Sequence, residues 1–154
     1  MRLSRTTLAA FACVLVAVSA CRARKDPVLA LLDDLEAAVE DKSADKVKEL
    51  VADDFRGQGG INRAEAISLL RRYLAGYEKV AIEVYDLSVQ RGDGSADVTF
   101  RVEFSGHALS IGGLDGLLPP GAAYRFQLHV VEQGGAWKVQ RADWEEMAPP
   151  AEGR

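Results

Sequence analysis

An α+β domain, with three helices followed by a strongly curved four- to five-stranded antiparallel sheet, is the fold class this sequence predicts. The periodicity of its apolar residues changes once along the chain. Up to Tyr77 they recur at three- and four-residue spacing behind cap residues, and from Val80 to Trp144 they recur every second residue between short glycine turns. The longest alternating run is Ser95 to Leu109. There Ala96, Val98, Phe100, Val102 and Phe104 share one face, while Asp97, Thr99, Arg101, Glu103 and Ser105 share the other. Such a half-buried strand supplies the apolar wall that the amphipathic helices need.

The first helix is marked by Asp26-Pro27, an N-cap followed by a proline at the first helical position. Val28, Leu31, Leu32, Leu35, Ala38 and Val39 line one side of it, with Asp33, Asp34, Glu36 and Glu40 opposite. Ser43 caps a shorter second helix whose apolar residues Ala44, Val47, Leu50 and Val51 lead to Phe55. Room remains for one short strand there before Gly57-Gln-Gly-Gly60. Asn62 with Glu65 three places on is a variant capping box, opening a third helix with Ile67, Leu70, Leu74 and Tyr77 inward and Gly76 as terminator.

Strands follow. Val80, Ile82 and Val84 alternate with Ala81, Glu83 and Tyr85, and the apolar phase then shifts to Leu87 and Val89, which predicts a bulge near Asp86 in a strand from Val80 to Gln90. Gly92-Asp-Gly94 turns the chain into the long strand. After Gly121, Tyr124, Phe126, Leu128 and Val130 oppose Arg125, Gln127 and His129, and Gly134-Gly135 makes another hairpin. The last strand, Ala136 to Trp144, puts Trp137 and Val139 on one face. Residues 148–154, with Pro149-Pro150, read as a frayed tail.

Length and composition fit one domain once a targeting segment is removed: 154 residues, 48% hydrophobic and 27% charged. The net charge of −4 conceals an asymmetry, because Arg2 and Arg5 are the only charges in the first twenty residues and the rest is more acidic still. Nucleic acid, which requires a basic face, is thereby disfavoured as a partner.

Residues 1–20 read as a secretory signal: a basic start, the apolar run Leu8 to Val18, and small residues after it, too short for a comfortable membrane span. Val18-Ser-Ala-Cys21 resembles the lipobox of bacterial lipoproteins. That resemblance implies that Cys21 becomes the diacylglyceryl-bearing N-terminus, carrying acyl chains such as palmitate. Cys13 would leave with the signal, so Cys21 has no disulfide partner, and acylation accounts for a lone thiol in an oxidising compartment. At about 0.8 kcal/mol per buried CH2, two or three chains anchor stably in a bilayer where one does not. Residues 21–27 form a short tether in which Arg22-Ala-Arg-Lys25 either lies against anionic headgroups or is simply solvated. Lipoprotein sorting, as the resemblance implies it, sends a chain with Arg22 rather than aspartate after the cysteine to the outer membrane, facing the periplasm.

The acidic helix pair ending in Ala52-Asp-Asp-Phe55, the Asn62-Arg-Ala-Glu-Ala-Ile67 helix, and strands closing on Trp137-Lys-Val139 and Asp143-Trp144 resemble the nuclear transport factor 2-like superfamily with its SnoaL-like members, over residues 28–147. The resemblance implies a cone-shaped half-barrel with an apolar pocket beneath the helices, and often a homodimer through the sheet. Enzymes of that superfamily use a carboxylate or histidine base inside the cone with tyrosine or acid donors to an oxyanion.

Strand parity places His107 and His129 with the polar residues, away from the helices. Tyr124, Arg141 and Asp143 share parity with the apolar set, and Tyr73 looks in from the third helix. The expected pocket lining is therefore Tyr73, Phe100, Phe104, Tyr124, Phe126, Trp137, Arg141 and Asp143. Arg141 and Asp143, two apart, either pair as a salt bridge or provide a ligand anchor and a base, and a one-residue bulge near Ala142 would exchange Asp143 for Trp144. The segment Ala108 to Gly121 is long and unusually apolar for a loop. It reads as a hairpin packed on its own domain, a lid or partner surface, or a tip dipping into lipid. The sequence contains no metal-ligand cluster, phosphate loop or nucleophile elbow, so no cofactor or metal is expected. The reading these features favour is a membrane-anchored envelope lipoprotein with a non-catalytic cone that binds a small apolar ligand or an envelope protein. The alternatives are an isomerase- or dehydratase-like enzyme with an in-pocket carboxylate, and a structural dimeric scaffold.

Overall fold

The computed structural model describes residues 25–108 and 123–147. The stretch expected to be a signal, Cys21 with its expected acylation, the apolar loop and the C-terminal tail lie outside the described residues. The elements run α1 (Pro27–Glu40), α2 (Ala44–Leu50), β1 (Val51–Gly57), a 3-10 turn (Gln58–Gly60), α3 (Arg63–Ala75), β2 (Tyr77–Gly92), β3 (Ser95–Ala108), β4 (Ala123–Gln133) and β5 (Ala136–Met147).

The caps read from sequence start all three helices. Asp26 Oδ1 accepts from the backbone N–H groups of Val28 (2.9 Å) and Leu29 (3.3 Å), and Ser43 Oγ accepts from Lys46 N–H (3.3 Å). Asn62 and Glu65 close a reciprocal capping box at 3.0 and 2.8 Å. Each such cap contributes about 1 kcal/mol by satisfying an otherwise unpaired N–H.

The sheet order is β1-β5-β4-β3-β2. β2 to β5 form an antiparallel meander, and β1 joins its far edge parallel to β5, Val51 beside Val139. The sheet is thus mixed rather than wholly antiparallel. Helical and hairpin connections separate β1 from β5 by about half of the chain, and a connection of that length permits parallel pairing. The sheet curls, so α1 touches both the edge strand β2 and the distant β5. The result is a cone of the nuclear transport factor 2-like type.

Beside a register shift between Tyr77 and Lys79 at the start of β2, two bulges set which side chains face the helices. The first is at Asp86, whose φ of 54° is tolerated by a short polar side chain, between the pairs Tyr85–Arg101 and Ser88–Thr99. The second leaves Gln140 unpaired between Val130–Val139 and His129–Arg141. Between the inner face and α1, Val98 and Val130 of the sheet and Val28 of the helix are almost wholly buried, with Ala96, Val139, Leu128 and Leu31 of α1 around them. Burying each valine side chain contributes roughly 1.5–3 kcal/mol. The outer face is charged, and its charges pair within it: Arg101 with Asp86 at 3.4 Å, Arg125 with Glu145 at 3.1 Å, His129 with Asp97 at 2.7 Å and Arg141 with Asp143 at 3.0 Å.

Candidate functional site

Aromatic side chains gather at the end of the cone away from the two hairpins. α3 carries Tyr73 on its last turn, Gly76 closes the helix, and the chain re-enters the sheet at once with Tyr77. Gly106 makes this junction possible. A Cβ there would stand 2.4 Å from the Lys79 carbonyl oxygen and 3.3 Å from the Tyr77 ring, so only glycine lets β2 and that ring approach so closely.

The rings form two connected groups. Tyr73 and Tyr77 lie 4.9 Å apart between centroids, Tyr73 meets the edge of Phe104 at 6.2 Å, and Phe104 meets Tyr124 at 5.9 Å. Deeper along the sheet Phe100 stacks on Phe126 at 5.5 Å with the planes 9° apart, and Phe126 leans on Trp144 at 6.2 Å. Offset and edge-to-face packing at these separations is favourable beyond the area buried. All of these residues except Tyr124 are only half-buried, which distinguishes this end from the aliphatic core.

Burial favours the neutral form of the Tyr73 and Tyr124 phenols. Burial, and after it the hydrogen bond with Tyr77, pushes the Tyr73 phenol well above the ordinary tyrosine range. Burial, then the Glu146 carboxylate and Tyr77, pushes Tyr124 up as well. Neutral phenols donate hydrogen bonds, so the site can offer O–H donors and ring faces to a ligand oxygen and its apolar body. Glu146, directly across from Tyr124 on β5, brings an acceptor to the exposed rim.

Three of the residues expected in the pocket, Arg141, Asp143 and Trp137, are not among these rings. Because Gln140 is the extra residue of the bulge, Arg141 pairs opposite His129 and Asp143 opposite Gln127, on the outer face, while Ala142, Trp144 and Glu146 turn inward. Arg141 Nε donates to Asp143 Oδ2, so these two form the salt bridge, the simpler of their two alternatives. Gln140 is held out of register by its own amide, which donates to Asp54 on β1 at 2.8 Å. Trp137 shares the inner face with Val139 and packs on the core near the hairpin end, apart from the other rings. Tyr73, Phe100, Phe104, Tyr124 and Phe126 belong to the two ring groups. His129 faces outward onto Asp97, and His107 pairs through its backbone with Lys79.

Sequence reasoning places Tyr77 inward but on the helix face, offers Trp144 only as the residue a bulge near Ala142 would bring in, and misses Glu146. The sign of the bulge is present: the apolar residues run 137, 139 and then 142, 144, the same change of phase that reveals the bulge at Asp86. Among the described residues no group of histidine, cysteine or acidic side chains is arranged to hold a metal.

No protein-family model matches the chain, and no curated protein does either. Its likeness is to solved structures. A Novosphingobium aromaticivorans protein assigned as a scytalone dehydratase is 12% identical, with a TM-score of 0.67 over 79% of this chain and 83% of that one. A nuclear transport factor 2-like protein of Cytophaga hutchinsonii is 16% identical, with a TM-score of 0.63 over 80% and 98%. A type 2 hexachlorocyclohexane dehydrochlorinase is 15% identical, with a TM-score of 0.62 over 81% and 93%. These likenesses establish the fold, a nuclear transport factor 2-like cone, and the site must be argued from its own residues.

Proposed function

We propose that this chain is a lipid-anchored envelope protein, held through Cys21 in the outer membrane and facing the periplasm, whose cone binds a small, largely apolar ligand bearing a hydrogen-bonding oxygen. The observation that carries the binding reading is the tyrosine cluster: Tyr73, Tyr77 and Tyr124 converge beside the half-buried rings of Phe100, Phe104, Phe126 and Trp144. A few placed donors on an apolar concave wall are the usual composition of a small-molecule site. The anchor reading rests on the lipobox resemblance at Val18-Ser-Ala-Cys21 and on the absence of any other cysteine beyond the signal.

A titration with 2-naphthol, a ring with one hydroxyl, tests the binding reading. Binding weakened about tenfold by Tyr124→Phe, the cost of one hydrogen bond to a ligand, and unchanged by Arg141→Ala is the expected pattern. No binding, or equal loss in both variants, removes it. Native mass spectrometry of the mature protein, reporting acylation, oligomeric state and any retained molecule, tests the anchor in the same preparation.

A second reading has its own support. Glu146 stands across from Tyr124, a carboxylate beside a phenol donor, and solved structures of this fold include proteins assigned as a dehydratase and a dehydrochlorinase. In that reading Glu146 abstracts a proton while the phenols stabilise the developing oxyanion. Glu146→Gln separates the two: it abolishes turnover if the site is catalytic and leaves naphthol binding intact in either case.

A further inference from the structure

The two ends of the cone differ in where the tether leaves. Asp26, the last residue before α1, is held against the β2–β3 hairpin by Arg91. α1 then runs the length of the sheet. At its far end Glu40 accepts from Ile82 N–H at 3.0 Å, and Lys42 just beyond it donates to the Tyr77 carbonyl. The tyrosine cluster is therefore at the opposite end of the domain from the point where the chain departs toward Cys21.

The length of the tether limits how the domain can sit on a bilayer. Along β3 the cluster lies seven to nine residues from the hairpin, Ser95 to Val102 and Phe104, which is roughly 25–30 Å at strand rise. Five peptide units join Cys21 to Asp26, and fully extended they span about 17 Å at most. With Cys21 at the bilayer surface, Asp26 cannot rise high enough for the domain to stand inverted with its aromatic end pointing straight at that surface. We infer that the tyrosine-lined site takes its ligand from the aqueous phase and not from the bilayer that carries the protein, so its ligand class is a water-soluble small molecule rather than a membrane lipid. This inference rests on the anchored, ligand-binding reading and narrows it.

The sequence makes the test direct, since beyond the signal Cys21 is the only cysteine and acylation consumes its thiol. Glu78→Cys, beside Tyr77, and Asp93→Cys, in the β2–β3 turn, are both at exposed positions and each gives one labelling site. The acylated full-length protein is reconstituted in phosphatidylethanolamine and phosphatidylglycerol vesicles, and energy transfer is measured from each label to acceptor-tagged headgroups. Transfer from position 93 several-fold above that from position 78 is expected. Equal transfer, or more from position 78, in protein that floats with the vesicles overturns the orientation while leaving the anchor standing. Protein that does not float with vesicles overturns the anchor and this inference with it. The affinity for 2-naphthol should agree within about twofold between vesicle-bound protein and the free domain. Loss of that affinity on vesicles means that bilayer lipid competes for the site, which also contradicts the inference.

Discussion

The two ends of the sheet are built from different residues. Toward the hairpins the inner face is aliphatic and closed: Val98 and Val130 of the sheet and Val28 of α1 share one core cluster and are essentially inaccessible. Toward the β3–β4 connection the same strands carry Phe100, Phe104, Tyr124 and Phe126, joined by Tyr73, Tyr77 and Trp144, most of them half-exposed and three of them phenols. Branched aliphatic side chains fill space densely and have nothing to offer a ligand. Flat rings with polar tips can present ring faces and hydroxyls to a ligand. The contrast separates the part of the fold that supplies stability from the part that supplies recognition.

The largest effect that sharpens this contrast lies at the closed end. Leu31→Ala removes a core side chain that is 4% exposed and should cost roughly 2–5 kcal/mol in denaturant unfolding, with naphthol affinity unchanged in the fraction that remains folded. A small loss would mean that this end is not the stability centre. At the other end Gly106→Ala forces a methyl against the Lys79 carbonyl and should cost about 1–3 kcal/mol while displacing Tyr77 and weakening naphthol binding. If stability falls but binding does not, Tyr77 is not part of the site.

Alkali should act through the aromatic end. The Tyr73 and Tyr124 phenols are raised in the folded state, so above the ordinary tyrosine pKa of 10.0 the unfolded chain releases protons that the native state retains. Stability contributed by these groups is complete below that pH and declines as pH rises above it. Melting temperature followed against pH should fall in that range, and Tyr73→Phe should make the fall shallower. An identical slope in both proteins contradicts the burial of that phenol. The smallest effect belongs to the outer face. Arg141→Ala breaks a pair whose side chains are 68% and 44% exposed, and should change stability by no more than about 0.5 kcal/mol.

Much of this arrangement is legible in the sequence because it is set locally. Asp26, Ser43 and Asn62 cap helices with atoms only two or three residues away, and the shift of apolar phase at Asp86 reveals its bulge without any tertiary information. The bulge at Gln140 leaves a local sign too, the change of apolar phase between Val139 and Ala142, but what holds it is distant: Asp54 from β1, 86 residues earlier, and the parallel docking of β1 against β5. Assigning one continuous phase to the last strand therefore places Arg141 and Asp143 in the cone and leaves Trp144 and Glu146 out of it. Tyr77 departs from its sequence expectation for a related reason. Its spacing continues the face of α3, but Gly76 and the clearance at Gly106 carry it into the sheet instead.

The claim on which the rest depends is that ligand recognition occupies the aromatic end alone. Chemical-shift mapping of the domain titrated with 2-naphthol addresses it most directly. Ring resonances of Tyr73, Tyr77, Tyr124 and Trp144 should move together on binding while the methyl groups of Val28, Val98 and Val130 stay fixed. Shifts confined to the outer-face residues Arg125, His129 and Arg141, with the tyrosine rings unmoved, would contradict it.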